Sequence, residues 1–458
     1  MLSYLTGIIF WSGTIYWLVH VTLPGTILLI LYLALYFGFF GSIITKAFLK
    51  PVYYHPFLIP TVWVILEYVR SYLFTGFPWA LLGYSQSENL ALIQIADITG
   101  AWGVSFLVMI ANVAVKEILT YRLKVFGYRR RAKQFFVVFL AGFVFVAGYG
   151  IFRLNQKREG GKLRVSVIQG NIPQELKWEP AAKSYILDRY SQLTEEAAKS
   201  NPDLIVWPEA SSPGFLGEDD LVFADIFSLA KKTKVPILVG SVVREGQKYF
   251  NSALLINGSG QITQRYDKLH LVPFGEYIPL KKILPFLQAV VPIGDIDKGR
   301  EYAIFKIPNL KSLPVRQAGQ IPNKFSVLIC FEDLFPGLSR HFVRKGADFL
   351  INITNDAWYK KTSAAAQHFQ ASVFRAVENR LTLVRSANTG VSGFIAPTGK
   401  VISLVRDESG ENIFISGYLT EEISMPERKT LTIYTRFGDV FIILLLIFAI
   451  YSIFHLKL

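Results

Sequence analysis

The chain of 458 residues predicts an α/β domain inserted between transmembrane helices, with five spans before it and one after, on three observations. Residues 1–152 and 437–455 are nearly continuous apolar runs, whereas the stretch between them has ordinary globular composition. Inside that stretch, short β-rich runs alternate with helical patterns, the signature of an α/β domain with a largely buried sheet. Several of these runs end on residues with chemistry to offer: Glu209, Lys268 and the one cysteine of the chain, Cys330.

The flanks come first. Hydrophobic residues make up 52% of the chain and charged residues 18%, too apolar for a soluble protein of this length. Candidate spans lie at 3–21, 24–45, 57–75, 90–115, 134–152 and 437–454, each near the ~20 residues that cross a hydrocarbon core. The first lacks a basic leading segment and a small-x-small cleavage site, so it reads as a retained span. Lys116, Arg122, Lys124, Arg129, Arg130, Arg131 and Lys133 crowd the loop between the fourth and fifth spans, against a single acid, Glu117. Lys46, Lys50 and Lys457 flank other spans. The positive-inside rule puts all of these in the cytoplasm and leaves the central block outside. The expected domains are therefore a membrane bundle at 1–155, an extracytoplasmic domain at 156–436 and a closing helix at 437–458. This topology, with anionic lipid contact, accounts for the net charge of +14 and gives no support to nucleic-acid binding. Glu67 and Arg70 share one helix face in the third span. They read either as a structural pair or as a polar contact for a lipid head group.

In the central block, strands are expected at 163–169, 203–208, 235–241, 251–257, 325–330, 347–353, 381–387 and 391–396, and helices near 180–200, 219–232 and 364–380. Segment 309–324, with Pro314, Gly319 and Pro322, reads as an irregular loop. No internal repeat, Gly-rich phosphate loop or metal-ligand spacing stands out. One cysteine excludes an internal disulfide and suits an oxidising compartment.

Cys330 closes the run Phe325-Ser326-Val327-Leu328-Ile329, Glu209 follows Leu204-Ile205-Val206-Trp207-Pro208, and Lys268 sits in Tyr266-Asp267-Lys268-Leu269-His270. Alone, each has a plainer reading: a small buried hydrophobe, a surface carboxylate, a solvated lysine. Together they are what nucleophilic acyl chemistry requires, because a thiol needs a base or a nearby cation to attack at neutral pH.

These motifs, with Leu271-Val272-Pro273-Phe274-Gly275-Glu276-Tyr277-Ile278-Pro279 and Phe331-Glu332, resemble the nitrilase superfamily. Set between membrane spans, the chain is similar to the apolipoprotein N-acyltransferase family. Further matches are Gln174-Glu175-Leu176-Lys177-Trp178, Asn355-Asp356-Ala357-Trp358, Gln367-His368-Phe369-Gln370 and Tyr434-Thr435-Arg436-Phe437-Gly438-Asp439. The segment Gly7-Ile8-Ile9-Phe10-Trp11 resembles a span that in family members follows others, and Phe331 stands where the family commonly has tyrosine.

The resemblance implies a nitrilase-like αββα sandwich with a Glu-Lys-Cys triad: Glu209 as base and acid, Lys268 on the oxyanion and thiolate, and Cys330 as nucleophile. The Phe331 main-chain N–H would assist Lys268, Glu276 would orient Lys268 or Glu209, and Glu332 and Trp178 are expected site neighbours. Cys330 would take an acyl chain from a phospholipid and pass it, as a thioester, to the α-amine of a diacylglyceryl-cysteine on an apolipoprotein. The enzyme would be a monomer in the bacterial cytoplasmic (inner) membrane, facing the periplasm, with no metal and no cofactor. His270 and His368 are expected to be structural. The apolar segment 280–292, with Lys281 and Lys282, reads either as a packed helix and loop or as an arm on the outer leaflet. A membrane-tethered amidase with the same triad and a non-catalytic lipid-binding scaffold are the competing functions.

Overall fold

The apolar runs of the central block become strands because both faces of each sheet are covered, so unbroken hydrophobic sequence is the stable pattern. The computed structural model describes residues 1–47, 55–122, 129–156, 160–278, 296–307, 324–425 and 430–457. Among these residues, one six-stranded sheet runs in the order β12-β1-β2-β3-β4-β5 and a second in the order β11-β10-β9-β8-β7-β6. The strands of the first are β1 (Lys162–Gln169), β2 (Leu204–Val206), β3 (Ile237–Glu245), β4 (Lys248–Ile256), β5 (Ile262–Asp267) and β12 (Gly417–Ser424). The second sheet holds β6 (Phe305–Lys306), β7 (Lys324–Ile329), β8 (Phe349–Thr354), β9 (Leu383–Ala387), β10 (Gly393–Ile395) and β11 (Val401–Leu404).

Each sheet has three parallel strands, β1-β2-β3 and β7-β8-β9, flanked by antiparallel ones. The topology therefore repeats, although no repeat is visible in the residues. Ser386 on β9 donates to the carbonyls of Ile168 on β1 (2.8 Å) and Val206 on β2 (3.1 Å), tying the sheets face to face. Helices Lys183–Ala198 and Asp220–Thr233 cover the outer face of the first sheet, where Ile186, Tyr190, Phe223 and Ile226 pack on Ile205, Ile237 and Leu254. Helix Pro336–Lys345 brings Phe342 edge-on to Tyr266, with ring centroids 5.6 Å apart. Parallel strands place their carboxyl ends on one side, which is where such folds bind ligands. Glu209 follows β2, Lys268 follows β5 and Cys330 follows β7.

The eight expected strands and three expected helices of this block are present. The expectation omitted β5, β6, β11, β12 and helix Pro336–Lys345. The omitted strands are short or solvent-facing, so their apolar signal is weak.

The chain forms two compact units, one of Met1–Gln156, Val377–Arg380 and Leu431–Leu458, the other of Lys157–Ala376 and Leu381–Thr430. Among the described residues of the first unit, Leu23–Lys46, Ala101–Leu119 and Lys133–Leu154 are long and apolar enough to cross a membrane. The other expected spans are helical but shorter or interrupted. The first stops at Thr14, whose hydroxyl bonds back to Phe10, and continues as a 3-10 turn over Tyr16–His20. The third runs over His55–Tyr72 and contains Pro60. The fourth breaks at Gly100 (φ +66°), where glycine is required because a Cβ would meet the Tyr434 ring at 2.7 Å.

Glu67 and Arg70 act on the main chain. Glu67 accepts from Leu82 N–H at 2.8 Å, and Arg70 donates to the carbonyls of Phe77 (2.7 Å) and Trp79 (2.9 Å). Through these bonds the two residues fix the 77–82 segment. Asp97 gathers Arg153, Arg380 and Tyr149, each at 2.8 Å, and Trp102 donates to Asp439 at 2.9 Å. The arm expected at 280–292, most of the loop expected at 309–324 and part of the basic loop at 123–128 lie outside the described residues.

Candidate active site

Glu209 is placed by a backbone that has no slack. Trp207 and Pro208 follow β2, and the next residue, Ala210, adopts φ +43°. On the neighbouring β3, a Cβ on Gly240 would lie 2.2 Å from the Pro208 carbonyl and 2.7 Å from Glu209 Cα. Glycine is therefore required for the two chains to approach this closely.

Lys268 follows β5 and hydrogen-bonds through its N–H to the Asn251 carbonyl on β4 at 2.9 Å. Its Nζ, 1% exposed, lies 3.3 Å from Glu209 Oε1 and 3.0 and 2.9 Å from the two oxygens of Glu276. Asn251 Nδ2 donates to both carboxylates, at 2.8 Å to Glu209 and 2.7 Å to Glu276. The Val272 N–H holds the second oxygen of Glu276 at 2.8 Å. Lysine and asparagine thus keep two carboxylates side by side, Glu209 buried and Glu276 partly so, which neither would tolerate unpaired.

Cys330 opens a 3-10 turn, Cys330–Leu334, with φ +52°. Positive φ at a residue with a side chain is uncommon and costs energy, and it often marks functional sites. Asn352 Nδ2 steadies the turn from β8 through the Cys330 carbonyl at 3.3 Å. The thiol lies close enough to Glu209 and Thr354 for each to bear on its ionisation.

One carboxylate joins the two halves of this site. Glu332 is fully buried and accepts from the N–H groups of Leu269 (2.7 Å), His270 (2.9 Å) and Ile329 (2.8 Å), while the Tyr266 hydroxyl donates to both its oxygens. The first two N–H groups follow Lys268, and the third precedes Cys330. Phe331 is buried, its ring 6.1 Å from that of His270 and 5.3 Å from that of Phe335. Trp178 is 43% exposed and meets the Phe215 ring at 5.2 Å. His368 is held in place on both ring nitrogens. Its ring nitrogens contact Asp356 at 2.8 Å and Asp333 at 2.9 Å, in a buried cluster that includes Arg385 and Ser372.

Burial and charge set the protonation states. Burial opposes ionisation of Glu209, but Lys268, Lys177, the bond from Asn251 and the nearby Cys330 thiol outweigh it and hold the carboxyl below its ordinary value. Burial also disfavours the Lys268 ammonium, yet Glu276 and Glu209 keep it charged well above the usual lysine range. The Cys330 thiol is pushed up by burial and then by the charge of Glu209, with Lys268 working the other way. For Glu332, burial exceeds the effect of its N–H donors and raises the carboxyl to about 7. The resting arrangement is a protonated thiol near an ionised carboxylate and an ammonium, able to trade one proton while a sulfur attacks a carbonyl carbon.

All seven expected site residues lie in or around this cluster except Trp178, which stands at its exposed edge. Two contributors had no assignment from the sequence. Asn251 lies mid-strand in an ordinary apolar run, without local signal. Lys177 was visible only as part of the Gln174–Trp178 motif; its Nζ donates to the Glu209 carbonyl at 3.2 Å.

Comparison with known proteins shows the family. The carbon-nitrogen hydrolase family matches residues 164–425, and the apolipoprotein N-acyltransferase N-terminal domain matches residues 1–114. Apolipoprotein N-acyltransferase of Geobacter metallireducens is 37% identical over 462 residues, covering 96% of this chain and 83% of that one. The chain belongs to the apolipoprotein N-acyltransferase family. Apolipoprotein N-acyltransferase 2 of Treponema denticola is 32% identical over 94% of this chain and 82% of its own, and the Rickettsia prowazekii member 31% over 88% and 77%. A solved amidase of the nitrilase superfamily from Nesterenkonia superposes with a TM-score of 0.43 at 17% identity, over 58% of this chain and 92% of that one. That likeness is too slight to carry an inference.

Proposed function

We propose that this N-acyltransferase family member moves a fatty acyl chain from a membrane phospholipid to the N-terminal amine of a diacylglyceryl-cysteine on an apolipoprotein, through a thioester on Cys330. The observation that carries the reading is the meeting of the Cys330 thiol, Glu209 and Lys268 in one buried cluster built from three separate strand ends.

Because the thiol sits high and Glu209 low, a free thiolate is a minor species. The proton therefore passes to Glu209 as sulfur attacks the ester carbonyl. Lys268 and the Phe331 main chain stabilise the oxyanion, and Glu209 returns the proton to the departing lysophospholipid. In the second half, the acceptor amine attacks the thioester, Glu209 takes a proton from nitrogen, and the amide leaves as Cys330 is reprotonated. Exclusion of water from the buried cluster favours transfer over hydrolysis. The chemistry calls on no metal or diffusible cofactor. Glu276, through Asn251 and Lys268, keeps the carboxylate pair aligned, and Trp178 lines the approach.

On the same reading the protein works as a monomer in the bacterial cytoplasmic (inner) membrane. A five-span bundle at 1–155 and a closing span at 437–458 flank a periplasmic domain at 156–436. Mass spectrometry after incubation with phospholipid tests the chemistry. An acyl adduct on Cys330, removed by hydroxylamine and chased onto a diacylated lipopeptide, is the expected result. An adduct that persists in Cys330→Ser, or one that only water discharges, would defeat the reading.

A further inference from the structure

Two buried ammonium groups adjoin Glu209, and they differ in company. Lys268 is paired with two carboxylates. Lys177 is 6% exposed, and among the described residues its Nζ has the Glu209 main-chain oxygen as hydrogen-bond acceptor and no carboxylate in an ion pair. Its Nζ also lies 5.9 Å from the Trp178 ring, beside the exposed edge of the site. The charge that faces it is Glu209, near the Cys330 sulfur, and Glu209 is paired with Lys268.

Resting on the acyl-transfer reading above, we propose that Lys177 is the residue that takes the surplus proton from the acceptor's α-ammonium group, freeing the amine that attacks the Cys330 thioester. An acceptor that enters charged needs such a group. An acceptor that arrives as an ammonium must lose one proton before it can attack and a second as the amide forms. Glu209 has room for one. Formal charge points the same way: Lys268 and Lys177 balance Glu209 and Glu276, so an arriving ammonium adds an unmatched positive charge to a buried site. A neutral Lys177 removes that excess.

The balance is R–NH3+ plus Lys177–NH2 giving R–NH2 plus Lys177–NH3+. Glu209 then takes the second proton and returns it to the sulfur, and Lys177 releases its own to solvent for the next turnover. Burial lowers the Lys177 ammonium to about 8 against the pull of Glu209 and Cys330. An α-amino group titrates at ~7.7–8.0, so the proton crosses between nearly matched partners.

The test starts from acyl-enzyme already formed on Cys330 and follows transfer to a diacylated lipopeptide at sub-saturating concentration, from pH 6.5 to 9. Without Lys177 only the acceptor already neutral in bulk can react, about a tenth of it at pH 7. Lys177, at about 8, is itself neutral in only about a tenth of molecules at pH 7, so Lys177→Met is expected to lose about twofold in transfer rate at pH 7 and to approach parity by pH 9. Lys177→Arg keeps the cation and its hydrogen bond but cannot accept a proton, so it is expected to behave like Lys177→Met. Rescue by arginine, or an equal loss at every pH, would overturn the proposal. So would failure of both variants to take up an acyl chain, since Lys177 would then belong to thioester formation. Absence of any thioester on wild-type Cys330 would instead defeat the underlying acyl-transfer reading.

Discussion

Glu332→Gln tests whether one buried carboxylate holds the two halves of the site together. The carboxylate accepts three main-chain N–H groups, two on Oε1 from Leu269 and His270 and one on Oε2 from Ile329. An amide offers one acceptor. With its oxygen toward Leu269 and His270, its NH2 confronts the Ile329 N–H, while the Tyr266 hydroxyl turns to accept. The opposite orientation strands two donors, so the first is preferred. One buried donor left unpaired costs ~1–3 kcal/mol, and a unit of this size loses about 2–4 °C in melting temperature per kcal/mol.

The loss falls between Lys268 and Cys330. A misplacement there on the scale of 1 Å is expected to slow thioester formation by ten- to about a hundredfold. The assays are a thermal melt in detergent and the rate of acyl uptake at Cys330. Glu422→Gln, in an exposed pair with Lys162, serves as the control expected to change neither. The pH dependence has a definite sign. The folded carboxyl stands at about 7, above its unfolded value, so it contributes stability that is fully present below that unfolded value and lost as pH rises through 7. The gap in melting temperature between wild type and Glu332→Gln should therefore narrow from pH 5 to pH 8. A variant as stable and as fast as wild type, or a gap that widens with pH, would refute the reasoning.

Other outcomes follow from the same site. Iodoacetamide reacts with thiolate, so Cys330 should alkylate slowly at pH 8. Glu209→Gln, which removes a raising charge, should speed the reaction, and Lys268→Met should slow it; the reverse order, read by intact mass, would contradict the electrostatic account. Gly240→Ala should cut acyl uptake at least a hundredfold by displacing the backbone that carries Glu209. Gly142→Ala, where a Cβ meets nothing within 4 Å, should not; equal activity of the two would show that the close approach does not matter.

Much of the fold was legible because its local signals and its long-range requirements coincide. β1, β2, β7, β8 and β9 are covered on both faces, so each reads as a short apolar run, and their ends mark where Glu209 and Cys330 emerge. β11 and β12 escaped notice because one face meets solvent and the alternation is diluted. The fourth apolar run looks continuous in hydropathy, which carries no information on the backbone angle that Gly100 adopts against Tyr434.

The sequence by itself determined the α/β class, the apolar flanks and the three residues of the expected triad, since each rests on composition or on an adjacent motif. Only the tertiary structure decided that Asn251 bridges two carboxylates, that Glu332 ties Lys268 to Cys330, and that of two lysines beside Glu209 one is clamped and the other is not. These are properties of distance and burial between segments remote in the chain. The protonation of a thiol, a carboxyl or an ammonium depends on what surrounds it in space, and that environment exists only once the strands have met.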